Sequence, residues 1–125
     1  MKRNGHTFQF SGTLIGSAAT AEHKYHTERV TYWKAEQEKA ITQARAAGIE
    51  IREQDVTGGK RVDVVIDPTV GIRLQECANK IASHQQAADR FQIEAAAYGT
   101  QPDRSYELEP DDIIYFRLAG GQRAA

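Results

Sequence analysis

Apolar residues recur along this chain with two periods, and the switches between them mark out its elements. In HTFQFSGTLI, residues 6–15, Phe8, Phe10 and Leu14 alternate with Thr7, Gln9, Ser11 and Thr13. That period of two predicts a half-buried strand, with Gly12 as a weak or bulged point. Gly16 and Ser17 break it, and Ser17 or Thr20 offers a cap for a helix. From about Ala19 to Ala47 there is neither proline nor glycine, and Gly48 supplies a helix-ending residue. Over that stretch His23, His26, Val30, Trp33, Gln37, Ala40, Ala44 and Ala47 follow at alternating steps of three and four, the mark of one buried helix face. A later start at Thr27, leaving AATAEHKYH as a loop, is the alternative.

Alternation returns after Gly48. Ile49 and Ile51 interleave with charges, TGGK supplies turn residues, and Val62, Val64 and Ile66 resume the pattern, which predicts a hairpin. Asp67-Pro68 then reads as an N-cap followed by proline at the first helical position. The second helix should reach about Tyr98, with Gly99 ending it. Its seam is Leu74, Cys77, Ile81, His84, Ala88, Phe91, Ala95 and Tyr98. TQPDRSYELEPDD reads as a polar connection. DIIYFRL, residues 112–118, reads as a last strand in which Ile114, Phe116 and Leu118 alternate with Tyr115 and Arg117. Residues 119–125 read as a loose tail.

The resulting order, β-α-β-β-α-β, is the connectivity of the ferredoxin-like split β-α-β arrangement. It implies one α+β domain over 1–125, with its core at about 6–118. Both helices would lie on one face of a four-stranded antiparallel sheet and run in the same direction. The lengths sit badly with that arrangement. Helices of about 29 residues are about 43 Å long, whereas strands of seven or eight residues span about 25 Å. An overhanging seam would leave apolar residues for a second copy, or a different protein, to cover.

Composition narrows the classes. With 125 residues, 40% apolar and 26% charged, the chain can bury a sizeable core. A net charge of -1 argues against a general polyanion binder. Cys77 is the sole cysteine, so no intramolecular disulfide can form. MKRNGHTFQF lacks the apolar stretch of a secretory signal, and no run reaches membrane-spanning length. A cytoplasmic protein without membrane contact is therefore expected.

HKYHTERVTYWK, residues 23–34, is the densest concentration of reactive side chains. On the seam, His26 and His84 read as core-edge histidines bonded to a carbonyl or a carboxylate. A chemical alternative joins His23, His26 and Cys77 as ligands of a metal or small molecule, with Glu22 or Glu76 close by. GTLIGS lacks the spacing and the lysine of a phosphate-binding loop. Cys77 lies inside a helix with nothing to activate its thiol. Asp111 and Asp112 read as a turn. No nucleophile–base–orienter set can be assembled, and no cofactor is implied. Arg52, Arg61 and Arg117 would give the open sheet face a modest basic patch for weak nucleic-acid binding, but the aromatic platform of an RNA-reading sheet is missing. The expected function is a non-enzymatic protein-binding module, an adaptor or inhibitor that pairs as a homodimer or with another protein. Its contacts would be Tyr25, Tyr32, Trp33, Phe91 and Tyr98 on the helices and Tyr115 on the sheet.

Overall fold

A computed structural model describes residues 7–49, 51–56, 60–65, 67–118 and 122–123, of which 51–56, 60–65 and 122–123 are described as backbone. The chain is mostly helical. Helix α1 runs Gly12–Ala46, α2 runs Pro68–Gly99, and a short α3 runs Pro110–Phe116. Between and around them lie β1 (Phe8–Ser11), β2 (Ile51–Val56), β3 (Lys60–Val65), β4 (Ser105–Leu108) and β5 (Gln122–Arg123). The strands form two separate sheets, β4-β1-β5 and β2-β3, both antiparallel. The ferredoxin-like four-stranded sheet with two helices on one face is therefore not the fold. The α+β description gives way to a mainly helical one.

Two compact units divide the chain. The first comprises Met1–Thr27 with Gln86–Ala125, and the second Glu28–Gln85. Both long helices pass from one unit into the other. Within each unit they run antiparallel, not in the same direction. In the first, Gly16 of α1 lies beside Ala95 of α2 and His23 meets Ala88. In the second, Glu36 of α1 pairs with Arg73 of α2.

Helix α1 begins at Gly12, well before the predicted Ala19 or Thr27, because its first donors are all satisfied there. Gly12 N–H donates to the Arg104 carbonyl at 2.9 Å and Thr13 N–H to that of Pro102 at 3.0 Å. Leu14 N–H donates to Ser11 Oγ at 3.2 Å, so Ser11 is the cap. Ile15 is fully buried while Leu14 is 50% exposed, which is helical rather than alternating order. At the other end Gly48, at φ 80°, closes α1. Its N–H reaches the Arg45 carbonyl, and Ile49 N–H reaches that of Ala44. Helix α2 starts as expected, Asp67 Oδ1 accepting from Val70 N–H at 3.0 Å ahead of Pro68. The hairpin pairs Ile51 with Val65 through Val56 with Lys60. Thr57, Gly58 and Gly59 of the predicted turn lie outside the described residues.

Two further corrections lie in the first unit. SYEL, expected as connection, is β4, and it sets Tyr106 opposite Phe10 and Leu108 opposite Phe8. DIIYFRL, expected as a strand, contributes most of α3. Pro110 stands at its start, Asp111 and Asp112 fill its first turn, and Glu109 N–H donates to Asp112 Oδ2 at 3.2 Å. Ile113 and Phe116 face the core at a helical step of three, while Ile114 is 74% exposed. Of the tail, Gln122 and Arg123 pair with β1, and 119–121 and 124–125 lie outside the described residues. The core of this unit is Phe10, Ile15, Ala19, Phe91, Leu108 and Phe116.

Candidate functional site

In the first unit the histidines of the predicted cluster are built into the packing. His23 donates from Nδ1 to the Ala88 carbonyl at 2.8 Å, which fixes its tautomer. His26 stacks on Phe91 with ring centroids 5.8 Å apart and planes 6° from parallel, and Phe91 stacks in turn on Tyr115 at 4.8 Å. Burial pushes the His26 imidazole below its ordinary value. Arg117 and Arg90 push the same way, against Glu22. Glu22 is buried, accepts from Arg117 Nε at 3.0 Å and lies 3.7 Å from His26 Nε2. Arg117 ends α3 in the left-handed region at φ 55°, with its own N–H on the Ile114 carbonyl and Leu118 N–H on that of Ile113. Tyr115 donates its hydroxyl to Glu94, and burial together with Glu94 pushes the phenol up to about 12. That hydroxyl stays a donor through the physiological range. These groups clamp three helices together. None presents an activated nucleophile or base to an open cavity.

The second unit carries the other half of the predicted cluster. Trp33 is half-buried, its Nε1 without a hydrogen-bond partner among the described residues. Arg29 lies 4.2 Å from the Tyr32 ring centre and 5.8 Å from that of Trp33. Arg73 and Lys80 stand 5.6 and 6.0 Å from Trp33. Arg73 is also held by Glu76 and, at 3.3 Å, by Glu36. This is a cation–aromatic cap on one flank of the helix pair. On the opposite flank lies an open groove of about 640 Å³, walled by α1 and α2.

Several predicted site residues thus have places other than those expected. His23 and His26 belong to the first unit and Cys77, fully buried, to the second. Among the described residues no three His, Cys, Asp or Glu side chains gather as a metal-ligand set. Arg117 sits at a helix end paired with Glu22 rather than on a sheet face, and the side chains of Arg52 and Arg61 lie outside the described residues. Phe91 is core, while Tyr98 and Tyr115 are half-buried beside it. Tyr25 and Tyr32 are the exposed aromatics of the predicted set, 47% and 45% accessible. Sequence reading missed the Glu22–Arg117 and Glu94–Tyr115 pairs. Sequence reading places Glu22 beside the expected ligand set, and nothing local links it to a residue 95 positions away. Among the described residues no helix is long and apolar enough to cross a membrane. No protein-family model, no curated protein and no solved structure matches this chain.

Proposed function

We propose that this chain is a non-enzymatic protein-binding module, an adaptor or inhibitor, that associates with a second copy of itself through its helices. The observation that carries this reading is that Trp33, Leu74 and Ile81, large apolar seam residues of the second unit, are only half-buried. On the part of α2 in the first unit, Ala88 and Phe91 are 1% and 3% exposed and Ala95 and Tyr98 are half-buried, and Phe91 packs under Tyr115 and Phe116 of α3. On the part in the second unit Cys77 is buried but Leu74 and Ile81 are only half-buried, and on α1 Trp33 and Ala40 are half-buried beside buried Val30 and Ala44. Removing apolar area from water yields about 25 cal/mol per Å², so such a seam favours a partner. A net charge of -1 and helix faces of mixed sign put little repulsion between two copies. Light scattering across a concentration series tests the reading. It should give a mass above the 13.9 kDa of one chain that rises with concentration. A constant single-chain mass into the high micromolar range would remove self-association.

A further inference from the structure

We infer that the second copy docks on one particular flank of the second unit, the groove floored by Ala78 and Ala82 and rimmed by Lys34 and Glu38, so that two helix pairs face one another. This rests on the self-association reading and adds the surface and its symmetry.

The two flanks of the helix pair in this unit differ in what they offer a partner. Arg29 and Glu36 of α1 and Arg73, Glu76 and Lys80 of α2 occupy one side of the seam, crowded on Trp33. Three cations stand there against two carboxylates, and both carboxylates already hold Arg73. That side therefore offers a second copy a surplus of positive charge and no acceptor outside that pair. The other side carries residues one and five places after seam positions. These are Lys34 and Glu38, following Trp33, and Ala78 and Ala82, following Cys77. They wall the open groove of about 640 Å³, and Ile81 contributes a half-buried apolar edge. Ala78 and Ala82 are exposed, although nothing about two solvated helix faces calls for small side chains there. Alanines let a facing helix approach to the close end of the 8–10 Å range of packed helices.

The rim identifies the occupant. A two-fold interface is self-complementary: if residue i of one copy meets residue j of the other, j also meets i. Lys34 and Glu38, both exposed and one helical turn apart on the same wall, form such a set. Lys34 of each copy can reach Glu38 of the other, giving the same ion pair twice. Gln37 adds an amide that both donates and accepts. A partner of single-signed charge would meet one of the two rim charges unfavourably, whereas an identical groove satisfies both.

Ala82→Arg tests the surface, and charge swaps test the symmetry. Arg has a helix propensity close to that of Ala and position 82 is exposed, so the variant should keep the wild-type helical circular dichroism. Its scattering mass should fall to 13.9 kDa at concentrations where the wild type is a dimer. Lys34→Glu and Glu38→Lys should each raise the dimer dissociation constant about fivefold, the order for an exposed ion pair repeated twice. The double swap should return it to the wild-type value, because the pairs re-form with their signs exchanged. A wild-type dimer that persists unchanged in Ala82→Arg overturns this surface and leaves self-association standing. A double swap as weak as the single ones overturns the two-fold pairing. A wild type that never exceeds one chain's mass removes both readings.

Discussion

At Gly12 a hydrogen atom is all that the surroundings tolerate. A Cβ built there would lie 2.3 Å from the Gln101 carbonyl oxygen and 2.8 Å from that of Tyr98. Both are backbone atoms, and the segment that holds them also caps α1 through the Pro102 and Arg104 carbonyls. The loop cannot retreat without uncapping the helix. Four residues on, a Cβ at Gly16 would meet Ala95 O at 3.6 Å and Gly99 N at 3.7 Å, which is ordinary contact. Gly12→Ala should therefore destabilise the chain by about 1–3 kcal/mol, as overpacking does. Gly16→Ala should be neutral or gain up to about 1 kcal/mol from helix propensity. Chemical denaturation of the two variants against the wild type measures the contrast. Equal effects would mean that the close approach at Gly12 is not what fixes the start of α1. The contrast also shows what one residue cannot reveal in sequence. GTLIGS contains two glycines with the same local look, and only a loop about ninety positions away tells them apart.

Among elements, the seams were legible and the partners of the strands were not. All eight predicted seam positions of α2 are buried or half-buried, and so are those of α1 except Ala47, because a step of three and four is a property of the helix itself. The start of α3 was written as plainly as that of α2. Glu109-Pro110 with two aspartates following carries the same proline signal as Asp67-Pro68. Ile114, Phe116 and Leu118 also satisfy a period of two over so short a run, and that alternation is what the strand expectation rests on. Sheet pairing depends on where a strand ends up, which no local pattern records: β1 pairs with β4 and β5, and β2 with β3. Where α1, α2 and α3 meet, His26 supplies a test. Glu22 faces it from α1, Arg90 from α2 and Arg117 from the end of α3. Its proton is held less readily in the folded chain than in the unfolded one, where the value is near 6.5. The stability it lends is complete above that pH and is lost as pH falls below it. The melting temperature should thus drop more steeply between pH 7.5 and 5.5 in the wild type than in His26→Phe, which keeps a ring against Phe91. Parallel slopes would show that His26 is not the group being titrated.

For the whole molecule, two units of unequal core share their long helices, and local stability should follow the core rather than the helix. The first unit closes a cluster of Phe10, Ile15, Ala19, Phe91, Leu108 and Phe116 under two kinds of element. Among the described residues of the second, Val30, Ile41, Ala44 and Cys77 are the buried apolar side chains, two of them small. Helices of this length draw most of their stability from packing, so the same α2 should open more readily over 70–85 than over 86–98. Hydrogen exchange read residue by residue on dilute protein should show that step in protection near the unit boundary in both long helices. Self-association predicts a second change in the same measurement. A ligand that binds only the folded form stabilises it in proportion to the logarithm of its concentration, and here the ligand is the chain itself. Raising the protein concentration should increase protection over 34–38 and 78–85 while leaving the first unit's amides unchanged. If protection is uniform along α2, or rises everywhere together with concentration, the two units open as one body and the thin core of the second is not the weak point.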